Sequence, residues 1–324
     1  YFPAIGYNVG NEIDDELERK NRKLPLQDAL TKLDAPLEDP YNYEFINFDA
    51  IVSTIANQTA ISVGEIVNHY IKNNRNYYHY KADNIPFRFA VSTAKYAIQK
   101  SSYNDISIEL LYEPKHSQNI AHLMESIKNT MQYCETNFGK YPYKTIRFAE
   151  ISSFTRGFAA TAYPASVFIN EKQFHVKLDQ KDGFDIINEL AAHELSHQWW
   201  GNAQLNPDYR EGSAVLTETL AQYTRLMMYK KEHGKDKMIE MVHLYQNMYD
   251  SEKAFSGEEA LFNSSPGNAN VIYNKGLAKM YELYLLIGEE KINLALKNLL
   301  EQHKFPLQPA TALDLIEELK LVSD

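Results

Sequence analysis

Residues 193–202 read HELSHQWWGN, within a run of helical character that ends at Gly201. At about 3.6 residues per turn, positions i and i+4 of a helix lie one above the other. The imidazoles of His193 and His197 therefore project from one face and can share one metal ion. Glu194 is turned away by about 100°, too far round to be a ligand, yet close enough to accept a proton from a metal-bound water. Two imidazoles, a carboxylate and one open position are typical of catalytic zinc, so we expect Zn²⁺, one per chain.

The carboxylate ligand has to come from outside the motif, and the residues that follow it offer Glu211 and Glu218. Ser213 has the character of an N-cap, which predicts a helix over 213–233. Glu211 would then lie in the preceding loop and Glu218 one and a half turns into the helix. A ligand on a packed helix is held more rigidly than one on a loop. This favours Glu218 and leaves Glu211 as the alternative, while either acid could also be an ordinary solvated carboxylate.

The composition restricts the class of protein. A chain of 324 residues and 37.4 kDa is long enough for one large domain or two ordinary ones. Its 33 Lys and Arg against 43 Asp and Glu give a formal charge of −10, which lacks the positive surplus that nucleic-acid binding requires. Cys134 is the single cysteine, and its place on an apolar helical stripe favours a core position over a catalytic thiol. No window approaches the 18 consecutive apolar residues of a membrane span, so we expect a soluble fragment.

The pattern of the chain divides it in two and predicts an α+β fold. Short β-like runs between turn residues predict a β-rich N-terminal domain over residues 1–104. A short mixed segment and then helices predict a second domain over residues 105–324. Predicted strands lie at 45–52, 60–63, 77–80, 87–91, 106–112, 145–151 and 166–170. Predicted helices begin near residue 117 and continue at 185–200, 213–233, 236–250, 274–287, 289–303 and 312–322.

The string HELSHQWWGN, a helix with Glu218 and the later element Tyr273-Asn274-Lys275-Gly276 together resemble the zinc aminopeptidases of the aminopeptidase N and leukotriene hydrolase family. The resemblance covers most of residues 105–324. It implies a thermolysin-like, mainly helical peptidase domain, preceded by the end of a partial β-sandwich or saddle. A peptide is the substrate that the resemblance implies.

The resemblance also implies a role for each matching residue. His193, His197 and Glu218 would be the zinc ligands and Glu194 the general base. Tyr273 would donate a hydrogen bond to the oxyanion of the tetrahedral intermediate, and loss of such a donor costs about 100- to 1000-fold in rate.

Residues 1–8 and 211–218 look most like a bacterial branch of the family in which the peptidase domain is fused to an ABC transporter permease. The chain starts at Tyr1 without an initiator Met or a readable targeting signal. We therefore expect a piece of a longer, membrane-anchored protein, with the side of the membrane and the oligomeric state left open.

Two departures from the family pattern concern the ligand spacing and the substrate amine. Twenty residues separate His197 from Glu218, two more than in the family, and a surface loop absorbs such an insertion at little cost. The family also carries an acid upstream of the zinc helix that binds the substrate's free α-amine. The corresponding segment, 156–164, contains no acid, although Glu150 and Glu171 flank it. The residues expected to contact the substrate are Gly157, Phe158, Ala159, Ala160 and Glu150.

These observations leave three functions open. The first is a zinc aminopeptidase. The second is a zinc peptidase that needs no free amino terminus, which the missing acid would allow. The third is a non-catalytic peptide-binding or sensing module of a transporter, and retention of Glu194 and Tyr273 argues against it because a structural zinc site has no use for a base or an oxyanion donor.

Overall fold

The computed structural model describes residues 13, 16–25, 30–36, 45–153, 159–178 and 184–323. Within them a β-rich N-terminal region is followed by a helical region, in agreement with the expected α+β class. The strands are β1 (Phe45–Ile55), β2 (Thr59–Ser62), β3 (Glu65–Lys72), β4 (Arg75–Pro86), β5 (Val91–Ala94), β6 (Ala97–Tyr103), β7 (Ile106–Tyr112), β8 (Thr145–Ile151), β9 (Ala160–Tyr163) and β10 (Ser166–Asn170). The α-helices are α1 (Glu16–Asn21), α2 (Ile120–Asn137), α3 (Glu171–Phe174), α4 (Ile186–Ser196), α5 (Glu218–His233), α6 (Lys235–Ser256), α7 (Gly276–Ile287), α8 (Glu289–His303) and α9 (Ala312–Ser323).

The β-rich region is built around β4, which pairs antiparallel with β1 on one side and β3 on the other. Much of β4 alternates between buried and less buried side chains, as expected when one sheet face covers a core. Tyr80, opposite Ala50 in the register, is fully buried and packs with Phe48, Val63 and Ile85. Strands β2 and β5 form a separate two-stranded antiparallel sheet.

The strand predicted at 87–91 is wrong for most of its length, because β4 ends at Pro86 and β5 begins at Val91. The guanidinium of Arg88 instead donates a hydrogen bond to Asn202 Oδ1 and lies 5.8 Å from the ring centroid of Tyr163. These contacts tie the segment to β9 and to the loop that follows α4.

A five-stranded mixed sheet in the order β6-β7-β8-β10-β9 lies beside the helices. Strands β7, β8 and β10 run parallel to one another, and β9 pairs antiparallel with β10 at the edge. All five residues of β10 are buried, which explains its continuous apolar pattern. The predicted strands at 106–112, 145–151 and 166–170 are confirmed as β7, β8 and β10. The domain boundary predicted between residues 104 and 105 falls in the turn of the β6–β7 hairpin.

The helical core centres on α4, which packs against α2 and α5. Cys134 is fully buried on α2, as its apolar stripe predicts. The helix predicted at 274–287 begins inside a π-helical segment, Asn270–Lys275, and continues as α7. Among the described residues, no helix is both long enough and apolar enough to cross a bilayer.

Candidate active site

Helix α4 brings the two histidines of the motif together. Asp185 caps its N-terminus by accepting a hydrogen bond from Asn188 N at 3.0 Å, which satisfies one of the helix's free N–H groups. The helix ends at Ser196, four residues earlier than predicted, and His197 is its C-cap. The Nε2 atoms of His193 and His197 lie 3.3 Å apart, one turn from each other on the same face. The predicted pairing of the imidazoles is therefore present.

Glu218 completes the group, from a position that differs from the prediction. Helix α5 begins at Glu218, and the residues Ser213–Val215 form a separate 3₁₀ turn. The placement of Glu218 one and a half turns into a helix is thus wrong. The N-terminal end of a helix carries a partial positive charge that stabilises a carboxylate, so this location suits Glu218.

The geometry of the three side chains fits a zinc ion. Glu218 Oε2 lies 3.2 Å from His193 Nε2 and 3.3 Å from His197 Nε2. Tetrahedral ligands at zinc's bond lengths of roughly 2.0–2.2 Å stand about 3.3–3.6 Å apart. Glu218 Oε2 is buried and accepts no hydrogen bond of normal geometry. Buried polar atoms are normally paired, and a bound metal ion would supply the missing partner. Among the described residues, these three are the His, Cys, Asp and Glu side chains close enough to share an ion.

Glu211, the alternative ligand, faces a different part of the molecule. Its carboxylate accepts hydrogen bonds from Lys32 Nζ at 2.6 Å and from Leu33 N and Asn263 Nδ2 at 3.3 Å. The hydrogen bond from Lys32 lowers the pKa of Glu211. Glu211 therefore joins the N-terminal residues to the helical region and does not approach the histidines.

The two histidines differ in the hydrogen bonding of Nδ1, the ring nitrogen that does not face Glu218. His197 Nδ1 donates a hydrogen bond to the carbonyl oxygen of Trp200 at 2.9 Å, which leaves Nε2 free to bind a metal. His193 Nδ1 is buried and has no hydrogen-bond partner among the described residues. Trp199 and Trp200 are fully buried and donate from Nε1 to Gly139 O and Thr224 Oγ1, so both indoles serve packing.

Glu194 is buried beside these ligands. Burial raises the pKa of its carboxyl group to about 7, an effect opposed by His193 and reinforced by the charge of Glu218. Arg88 also lowers the pKa of Glu194, so the segment that leaves β4 brings a positive charge to the site. A carboxylate whose pKa lies near neutrality is suited to accept a proton and return it.

Tyr273 lies on the π-helical segment, a type of irregularity that is frequent at functional sites. Its ring centroid is 5.9 Å from that of His193. Burial raises the pKa of Tyr273, and the Glu218 carboxylate raises it further, so the phenol stays protonated and able to donate. Thr219 Oγ1 donates to Ile272 O at 2.8 Å, and a Cβ on Gly276 would meet Thr219 Oγ1 at 2.7 Å. This close approach holds the tyrosine against α5.

Edge strand β9 forms one wall of a cavity of about 560 Å³ beside the histidines. Its lining includes Ala159, Ala160, Glu194, Tyr273 and the expected ligand His193. Gly157 and Phe158, two of the expected substrate contacts, lie outside the described residues.

Glu150, the acid expected to contact substrate, faces the turn that follows β7. Its carboxylate pairs with His116 Nδ1 and accepts a hydrogen bond from Glu113 N at 2.8 Å. Glu171 accepts hydrogen bonds from the backbone and hydroxyl of Ser153. Neither acid is among the described residues that line the cavity beside His193.

Three charged residues at the site were not predicted from the sequence. Arg88 approaches Glu194 from the β-rich region, and Glu189 pairs with Arg225 in the wall of the cavity. Glu189 stands four residues before His193, a spacing that places both on one helix face and that could have singled it out. No local pattern distinguishes Arg88 or Arg225, because their partners are distant in sequence.

Comparison with known proteins agrees with this geometry. The chain matches the Peptidase family M1 domain over residues 122–324, more than half of its length. A search of the curated proteins finds no match. Proteins of the M1 family are zinc-dependent metallopeptidases that hydrolyse peptides, and this chain belongs to that family.

Proposed function

We propose that this chain is a zinc-dependent aminopeptidase with a thermolysin-like catalytic domain. The observation that carries the proposal is the arrangement of His193, His197 and Glu218, whose donor atoms stand 3.2–3.3 Å apart. Glu194 and Tyr273 line the same cavity as His193, so a base and a hydrogen-bond donor are available there. A purely structural metal site would need neither.

Zinc held by the three ligands would polarise the substrate carbonyl and lower the pKa of water toward about 7. Glu194 takes the proton from the attacking water and returns it to the leaving amine. The phenol of Tyr273 donates a hydrogen bond to the carbonyl oxygen as negative charge develops on it. Ala160 on edge strand β9 lies where an extended peptide could add to the sheet through main-chain hydrogen bonds.

A second candidate is a zinc peptidase that does not require a free amino terminus. The observation that favours it is the composition of the cavity wall, because residues 159–163 contain no acid. Besides Glu194, the acid in the described lining of the cavity is Glu189, and Arg225 neutralises it.

One comparison separates the two candidates. The purified, zinc-loaded chain is given an L-aminoacyl reporter and the same reporter with an acetylated amine. An aminopeptidase hydrolyses the first and rejects the second, whereas equal rates would establish the second candidate. Hydrolysis of neither reporter, nor of unblocked peptides, would point to the non-catalytic binding module.

The likeness of residues 211–218 to the permease-fused branch supports a membrane-tethered full-length protein. Fractionation of cells that express the full-length protein tests this part of the proposal.

A further inference from the structure

Glu189 lies in the wall of the cavity that contains the reactive residues. It belongs to the first turn of α4, four residues before His193, and is 4% exposed. A carboxylate this deeply buried is costly unless it has partners. The proposed reaction gives Glu189 no task, so its burial requires another explanation.

Arg225 fixes the position of that carboxylate. Its guanidinium forms a largely buried ion pair with Glu189 across the contact between α4 and α5. The same guanidinium lies 4.9 Å from the ring centroid of Tyr245 and donates from Nη1 to Gln222 Oε1 at 3.1 Å. Arg225 is therefore held on three sides, and Glu189 is held by Arg225.

His193, one helical turn from Glu189, has a buried ring nitrogen without a hydrogen-bond partner among the described residues. Imidazoles that bind a metal almost always donate their other N–H to a carboxylate, a carbonyl or water. His197 does so through the carbonyl of Trp200, whereas His193 Nδ1 is buried without an acceptor among the described residues. Side chains at i and i+4 of a helix are neighbours, with Cβ atoms about 5–6 Å apart. Glu189 thus supplies a fixed carboxylate one turn from the unsatisfied nitrogen.

We infer that Glu189 is a positioning residue for His193, accepting the Nδ1–H hydrogen bond when Nε2 binds zinc, and that Arg225 holds Glu189 for this purpose. The inference rests on the proposed zinc site. The pairing would set the tautomer and orientation of the imidazole and increase its basicity, as such partners generally do.

Zinc affinity, measured by competition with a chromophoric chelator, tests the inference without reference to activity. Glu189→Met removes the acceptor and is expected to weaken zinc binding by about 10- to 100-fold. The matched control is Glu109→Met, since Glu109 also forms a largely buried ion pair, with Arg147 Nε at 3.1 Å, and does not line the cavity. The control is expected to lose thermal stability and to keep the zinc affinity of the wild type.

A nearly isosteric variant, Glu189→Gln, keeps the test decisive if the methionine variant does not fold. In the zinc-loaded wild type the Nδ1 proton of His193 should give a downfield resonance in the NMR spectrum, typical of a hydrogen bond to carboxylate. Glu189→Gln should move that resonance upfield, while Glu109→Gln should leave it in place.

Two results would overturn the inference, and both differ from failure of the zinc site itself. In the first, Glu189→Met is less stable but binds zinc as tightly as the wild type. The ion pair would then only stabilise the packing of α4 against α5. An unchanged His193 resonance in Glu189→Gln would have the same meaning. If instead the wild type binds no stoichiometric zinc, or His193→Ala binds it as well as the wild type does, the proposed ligand set is wrong.

Discussion

Glu194 is the residue whose replacement isolates proton transfer from metal binding. Glu194→Gln removes the base but none of the three proposed ligands. We expect peptide hydrolysis to fall by about 100- to 10,000-fold, because general acid–base catalysis contributes that much. Steady-state kinetics and metal analysis of the same sample give the two quantities, and zinc content should stay at one ion per chain.

The matched control for this variant is Glu211→Gln, since Glu211 bonds to Lys32 away from the histidines. It should retain wild-type activity. Hydrolysis at the wild-type rate by Glu194→Gln would refute the assignment of the base.

Tyr273 is expected to act only in the transition state. Tyr273→Phe deletes the hydroxyl while keeping the ring beside His193. The loss of one oxyanion donor lowers kcat by about 100- to 1000-fold, with little change in KM or zinc affinity. Tyr281→Phe on α7 is the control and should behave as the wild type. A Tyr273→Phe enzyme whose KM rises while kcat is preserved would assign the phenol to substrate binding instead.

At the scale of the element, α4 depends on an ion pair at its first turn. Asp185 caps the helix, and its Oδ2 lies 2.7 Å from His122 Nε2. The hydrogen bond between His122 and Asp185 raises the pKa of His122. Burial raises the pKa of Asp185, but hydrogen bonds from His122 and from Asn188 N outweigh it, so the net shift is downward.

The direction of these shifts predicts how stability varies with pH. The contribution of His122 is complete below its unfolded pKa of about 6.5 and is lost as pH rises through the raised folded value. We therefore expect His122→Gln to lower the free energy of unfolding more at pH 5.5 than at pH 8.5. Urea unfolding of both proteins at both pH values measures the difference. An equal loss at the two pH values would show that the imidazole acts through packing alone.

The elements differ in how far the sequence could predict them. Strands β7, β8 and β10 and helix α8 have the bounds that were predicted. The pattern of apolar residues within each of these elements is sufficient to predict it. The start of α5 was missed because Ser213 opens only a 3₁₀ turn. Thr217, with φ −109° and ψ −79°, lies between this 3₁₀ turn and the first residue of α5, Glu218.

In the site, too, contacts within one element could be predicted from the sequence and contacts between elements could not. The pairing of His193 with His197 is a consequence of helical spacing, so four residues of sequence predict it. The approach of Arg88 to Glu194 and the pairing of Glu189 with Arg225 depend on how separate elements dock. Neither contact is encoded in a local pattern, so neither could be predicted from the sequence.

At the scale of the whole molecule, the proposed zinc site joins α4 to α5 in the centre of the helical core. A ligand that binds only the folded state adds stability by mass action, about 2.7 kcal/mol when free zinc is 100 times Kd. We expect a chelator to lower the Tm by several degrees and added zinc to restore it, as followed by calorimetry. His197→Ala should have a lower Tm that responds to neither addition. A wild-type Tm that is indifferent to chelation would argue against tight metal binding.

Because Glu218 is the first residue of α5, the docking of that helix fixes the third ligand, whatever the number of residues before it. The connection over 198–217 includes an exposed turn at Tyr209, and closing a longer loop costs little additional free energy. The surface loop can therefore accommodate the two additional residues, and the distances from the Glu218 carboxylate to both imidazoles stay the same. A genome survey for such enzymes that counts a set number of positions from the second histidine would overlook this chain, whereas one that asks for an acid at the opening of the next helix would retrieve it.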